Sequence, residues 1–320
     1  MNYTRNIKYT CINILSFLLL TAGNSVYGQL RWTNVSSEYG KLPSSVKVFR
    51  TNDSLAGRPF KAYYVIANLK DQKRKFTTQV GDGKRYTPSQ YFLREDSPIV
   101  VVNGTFFSFE TNQNLNMVVK DGELKAYNVV ALKSKKTDTF YYPSRGAIGI
   151  TYNRKPDVAW IFTDTSQRYA YAFERGPIIA AGKKSDPSFS DLNTFDKWKW
   201  WKVETAIGGG PVLIQNKKLR VTNKEEQMFV NGESDKHPRT AMGYTKGKKL
   251  IILVIEGRFP GQAEGATLAE EAQILLDLGC QEALNLDGGG SSSMLVNGKP
   301  TIKPSDKGTE RPVPAVFLIR

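Results

Sequence analysis

Leu250-Ile251-Ile252-Leu253-Val254-Ile255-Glu256-Gly257 is an unbroken apolar run that stops at a carboxylate. A strand apolar on both alternating faces fits burial between two layers of structure. Downstream, Thr267-Leu268-Ala269-Glu270 reads as a capping box, with Leu268, Ala272, Leu275 and Leu276 on one helical stripe and Gly279 as its stop. Ala283-Leu284-Asn285-Leu286 then reads as a second strand, closing on Asp287-Gly288-Gly289-Gly290-Ser291-Ser292-Ser293. Strand, helix and strand joined by a long crossover predict two parallel strands finishing on the same sheet edge. As neighbours they would bring Glu256 and Asp287 out about 5 Å apart. Carboxylates at the carboxyl ends of parallel strands lie where open sheets bind ligands.

The residues around this unit add to the candidate site. Gly288, Gly289 and Gly290 let backbone amides approach an anion or a sugar oxygen, and Ser291 and Ser292 bring hydroxyl donors. Gly208-Gly209-Gly210-Pro211 is a second such turn after a β run. Each triplet alone is also explained by tight-turn sterics, and no Gly-Lys-Ser or Gly-Lys-Thr follows, so this is no nucleotide phosphate loop. His237-Pro238-Arg239-Thr240 precedes the apolar strand. Arg239 carries a planar fork suited to phosphate or carboxylate oxygens, or equally to a structural ion pair. A capping role accounts for Glu270 without any chemistry. Asp196-Lys197-Trp198-Lys199-Trp200-Trp201-Lys202 suits a sugar-stacking wall or an aromatic edge over the core.

Further out, the chain reads as β-rich. Short β-branched and aromatic runs recur at Ala62–Ala67, Ile99–Phe107, Tyr127–Leu132, Ala147–Tyr152, Val158–Phe162 and Val203–Ile207. Asp121-Gly122 and Asn297-Gly298 are two-residue hairpin turns. The expected fold class is α+β: a large β-rich mixed sheet, the strand-helix-strand unit at about 250–287, and few helices on the outside. Residues 29–97 are more polar and are expected to form a β-rich segment or extra layer.

Residues 1–28 read as a signal peptide. Arg5 and Lys8 precede an apolar run from Cys11 to Leu20 that is shorter than a spanning helix, and small residues allow cleavage before Gln29. The expectation is an exported protein, periplasmic or extracellular, with no membrane span after leader removal. Cys280 would then be the sole thiol, leaving no intrachain disulfide, so stability must come from packing. One histidine and two cysteines among 320 residues exclude zinc clusters and two-histidine metalloprotease motifs. No cofactor is expected; the clustered carboxylates leave a divalent metal open, although no ligand spacing demands one. Forty-five Lys and Arg against 30 Asp and Glu favour anionic partners, and the basic residues sit mostly in turns. No nucleic-acid-binding signature accompanies them, so nucleic acid is not an expected partner.

Seven segments, in this order, resemble the phosphodiester glycosidase family: Asn103-Gly104-Thr105-Phe106-Phe107, Arg175-Gly176-Pro177, Gly208–Pro211, His237–Gly243, Glu256-Gly257, Gly265–Glu270 and Asn285–Ser292. The resemblance runs from about Pro98 to Arg320, defining a catalytic domain at 98–320. It implies hydrolysis of the glycosidic bond of a sugar-1-phosphodiester, giving free sugar and a phosphomonoester, with a phosphate-bearing glycan as substrate partner. On that reading Arg239, the glycine-turn amides and Ser291 or Ser292 hold the phosphate. Glu256 and Asp287 supply the attacking or water-activating carboxylate. Asn103, Arg175 and His237 hold sugar or phosphate oxygens, Thr240 joins the substrate-binding residues, and Glu270 is a lower-ranked candidate. Two other readings compete: a phosphodiesterase cutting the phosphorus–oxygen bond of envelope glycopolymers, and a non-catalytic glycan-binding protein.

Overall fold

A computed structural model describes residues 29–129, 132–133, 140–141, 144–166, 168–173, 199–229, 232 and 234–320. The expected leader, Arg175 and Trp198 lie outside these residues. The apolar run forms the strand Lys249–Ile255, and its alternate side chains enter two different cores. Leu250, Ile252 and Val254 join a cluster with Val65, Trp160 and Phe317, whereas Ile251, Leu253 and Ile255 join Leu268, Ala272 and Leu275. Both faces being covered explains why neither could be polar.

The fold is α+β, strand-rich with few helices. Its central sheet has eight strands in the order 33–34, 46–51, 62–68, 249–255, 239–245, 280–285, 212–215, 218–219, each antiparallel to its neighbours. The helix Leu268–Asp277 covers one face of this sheet. A seven-stranded and a five-stranded sheet share the core on the other face. A second helix, Pro88–Arg94, packs Tyr91 onto the five-stranded sheet.

The two strands of the strand-helix-strand unit do run parallel to each other, but they are not neighbours. Arg239–Thr245 lies between them, antiparallel to both. Gly243 permits this insertion: a Cβ there would stand 2.8 Å from the Glu282 carbonyl oxygen and 2.9 Å from both Ala283 Cβ and Cys280 Sγ. The strand ends are therefore about two strand spacings apart, ~10 Å, rather than one. What fills the gap is the run entering the inserted strand, His237 to Arg239.

Residues 29–97 add strands to the central and five-stranded sheets and form a small hairpin of their own, Ser54–Leu55 with Arg58–Pro59. Val46–Thr51 and Ala62–Asn68 extend the central sheet beyond Lys249–Ile255, and Phe76–Val80 pairs with the final strand, Ala315–Ile319. Both two-residue turns form hairpins, joining Lys120 to Glu123 and Val296 to Lys299. Among the described residues no helix is long and apolar enough to cross a membrane.

Candidate active site

Three backbone segments are pressed together where Lys249–Ile255 ends, Arg239–Thr245 begins and Cys280–Asn285 ends. A Cβ on Gly257 would stand 2.7 Å from Pro238 N, and one on Gly288 would stand 2.9 Å from Pro238 O. The Gly289 amide donates to Pro238 O at 2.8 Å, and His237 and Ala266 exchange both backbone hydrogen bonds, at 3.1 and 3.0 Å. Glu256, His237 and Asp287 thus leave one compact edge, and each glycine is there because a side chain would separate the segments.

Asp287 is the most perturbed carboxyl at this edge. Burial pushes it up to about 7, although hydrogen bonds from Ser291 and the Gly288 amide, and the charge of Arg311, pull the other way. The residue as a whole keeps some accessible surface. A carboxyl poised near neutrality can take or give a proton.

Above the glycine turn stand two guanidinia that the sequence reading did not single out. A Cβ on Gly289 would lie 3.0 Å from Arg258 Nη2, and one on Gly290 would collide with Arg311 Nη2. Arg311 is anchored by Nε to Asp306 Oδ2 at 2.7 Å, with Nη1 at 3.4 Å from Ser291 Oγ. Arg258 is exposed and makes no hydrogen bond among the described residues; its φ of 64° is unusual for a residue with a side chain. A signal for Arg258 existed, since it follows Glu256-Gly257 directly. Arg311 had none, being delivered by the approach to the last strand. Arg258 also lines a cavity of about 550 Å³, together with Arg58, Asp235, Phe259 and Glu264.

The remaining expected residues divide sharply. Glu256 reaches the edge, where Oε2 accepts from Lys303 N at 2.8 Å and lies 3.1 Å from Lys61 Nζ. His237 is partly buried with Nδ1 unpaired; burial, then the charges of Arg239 and Arg258, lower its pKa. Arg239 is 3% exposed and turns toward the helix face. Its Nε donates to Ala266 O at 2.9 Å and its Nη2 to Asp235 O at 3.0 Å, which clamps the two segments flanking His237. Those two donors are spent on protein, so Arg239 as placed clamps the segments through Nε and Nη2.

Asn103, Thr240 and Ser292 lie behind the edge, each almost wholly buried. Asn103 Nδ2 donates to Asp287 O at 2.6 Å, while its Oδ1 accepts from Thr240 Oγ1 at 2.9 Å and Ser293 N at 3.0 Å. Thr240 Oγ1 is 3.2 Å from Ser292 Oγ. This network fixes the Asp287 backbone. The Gly208, Gly209 and Gly210 amides donate to Met117 O, Gly146 O and Asn285 O, so that turn is a joint between sheets, with no amide turned outward. Glu270 closes its capping box at 2.8 Å to Thr267 N and pairs with Lys236 Nζ at 2.8 Å. The aromatic wall is discontinuous: Trp200 is exposed, but Trp201 is buried with Nε1 on Asp157 Oδ2 at 2.6 Å. Among the described residues no three His, Cys, Asp or Glu converge as a metal site.

Comparison with known proteins points one way. The profile of the phosphodiester glycosidase family matches residues 96–320. An N-acetylglucosamine-1-phosphodiester alpha-N-acetylglucosaminidase from Bos taurus is 38% identical over 228 residues, which is 70% of this chain and 36% of that protein. An uncharacterized SPbeta prophage-derived protein, YomE, from Bacillus subtilis is 41% identical over 111 residues, 35% of this chain and 16% of its own length. The chain thus spans only about a third of the bovine enzyme's length. Among solved structures, the zebrafish catalytic domain of the same enzyme, auto-inhibited by its pro-peptide, superposes with a TM-score of 0.60 at 18% identity, covering 91% of this chain and 88% of that one. A hypothetical protein from Synechocystis gives 0.58 at 16% identity over 91% of this chain and 67% of its own.

Proposed function

The chain belongs to the phosphodiester glycosidase family, and from this we propose that it hydrolyses the glycosidic bond of a sugar-1-phosphodiester outside the cytoplasm. The observation that carries the reading is the Asp287 carboxyl, poised near neutrality beneath the guanidinia of Arg258 and Arg311. A phosphodiester is an acidic leaving group, so its departure needs charge stabilisation more than a strong general acid. Arg258 and Arg311 supply that charge, taking the role the sequence reading gave to Arg239. Asp287 as carboxylate accepts a proton from water while the water oxygen bonds to the anomeric carbon. The bond from that carbon to the phosphate oxygen breaks, and its electron pair leaves with the phosphate. Glu256 is the second carboxylate at the edge, and His237, neutral at pH 7, offers a hydrogen bond to a sugar or phosphate oxygen.

Turnover of a panel of sugar-1-phosphate diesters in oxygen-18 water tests this. Label in the released sugar is the expected result. Label in the phosphate would mean attack at phosphorus, the alternative that the paired guanidinia favour equally well. Glycan binding with no product from any diester would leave the protein a lectin-like binder. Recovery of the mature chain from a periplasmic or extracellular fraction, starting at Gln29, is expected if residues 1–28 are a leader.

A further inference from the structure

Phe109 is a large apolar side chain held out in solvent by a well-tied loop. The residue is 62% exposed, and it lies just past the Asn103–Phe107 segment. Ser108 N donates to Gln113 O at 2.9 Å, Asn112 N to Ser108 O at 3.0 Å and Leu115 N to Phe106 O at 2.8 Å. Inside the loop, Phe106 N donates to Asn116 Oδ1 at 3.1 Å and Thr105 Oγ1 to Asn114 Oδ1 at 2.5 Å. A loop closed this way gives the ring no route into the core; Phe107 packs on it with centroids 4.8 Å apart, and the apolar surface left over stays in water until a ligand covers it.

Its neighbours are cationic and favour a ligand that carries an anion. The Arg311 guanidinium carbon lies 5.3 Å from the ring centroid, and that of Arg85 lies 5.5 Å away. Arg311 is the same group that stands over Gly290 and bears on Asp287. The phenyl ring is therefore one guanidinium removed from the carboxyl assigned to the reaction. We propose that Phe109 is the platform for the glycone: a pyranose lays its C–H face on the phenyl ring while its anomeric phosphate rests on Arg311 and Arg258. The inference rests on the functional reading above and adds the residue that recognises the sugar ring. A simpler role, in which Phe109 only orients Arg311 through the cation–π contact, makes a different prediction. It would weaken every phosphate ligand alike, with or without a sugar.

Calorimetric titration of the mature protein with glucose 1-phosphate, N-acetylglucosamine 1-phosphate and inorganic phosphate separates the two. Phe109→Ala, at an exposed position, is expected to fold normally. It should weaken the tighter-binding hexose 1-phosphate about tenfold and inorganic phosphate by less than about twofold, with Phe109→Trp restoring the sugar ligand. Equal weakening of all ligands overturns the platform, as does no change in any. So does a wild type that binds both hexose phosphates no better than inorganic phosphate. Diester hydrolysis is assayed in parallel. A Phe109-dependent sugar preference without hydrolysis would sink the catalytic reading and leave the platform standing, and hydrolysis without that preference would do the reverse.

Discussion

The Asp287 side chain carries its proton to about neutrality because burial outweighs the Ser291 and Gly288 hydrogen bonds and the Arg311 charge. If the carboxylate is the form that accepts a proton from water, kcat/KM for a diester must rise with pH and level off above about 7. A pH–rate profile falling through that range would assign the opposite protonation state. Asp287→Asn should lose roughly 10²- to 10⁴-fold in kcat with the fold intact, since the Asn103 contact uses the Asp287 carbonyl and not its side chain. Arg258 gives a cleaner binding test, being exposed and free of hydrogen bonds among the described residues. Arg258→Ala is expected to weaken inorganic phosphate about tenfold, read by calorimetry, with an unchanged melting temperature. Unaltered affinity would leave Arg311 as the sole phosphate ligand. These two residues also mark where sequence reasoning stopped. Asp287 was legible because a strand aims it at a glycine turn, whereas Arg311 reaches the site only through the path of a strand in another sheet.

The helix Leu268–Asp277 shows what an element's pattern reveals and what it hides. Its start was readable to the residue, with Thr267 and Glu270 exchanging both capping hydrogen bonds, and so was the apolar stripe. The next residue, Glu271, broke no rule at the surface of the sequence yet is 0% exposed, and neither carboxylate oxygen has a hydrogen-bond partner. Burial pushes it up to about 8, against the charge of Arg239. Between its ordinary 4.5 and about 8 the folded chain keeps a proton that the unfolded chain has released. Stability from this group is therefore present at acid pH and lost as pH rises through that window. Glu271→Gln keeps the shape and removes the titration. Its unfolding free energy should match wild type near pH 4.5 and exceed it at pH 8 by up to about 4 kcal/mol. A variant less stable than wild type at pH 8 would show that the ionised carboxylate is needed to balance Arg239. The missing strand between the two parallel ones has a related cause. Arg239–Thr245 opens with an arginine and holds a threonine and a glycine, so its pattern does not announce burial. Its burial follows from close backbone packing at Gly243, which only the assembled sheet displays.

At the scale of the whole molecule, cohesion falls to the cores, and Cys280 reports on them. Its thiol is 1% exposed at the junction of helix and central sheet, and burial raises its pKa to about 12. A thiolate is the reactive species, so the native protein should resist thiol reagents at pH 8 over hours. Cys280 pairs with the edge of Arg239–Thr245 and shares a cluster with Leu253, Ala272 and Leu275. No local opening frees it without parting the helix from the sheet that frames the site. Labelling should therefore follow global unfolding: its rate should rise with denaturant in step with loss of secondary structure. Labelling well ahead of that transition would reveal a sub-global opening and detach the stability of this layer from the rest. The stoichiometry adds a second reading from the same reaction. Cys11 falls in the expected leader, so unfolded mature protein should take up one label per chain, and two labels would mean that the first 28 residues remain attached.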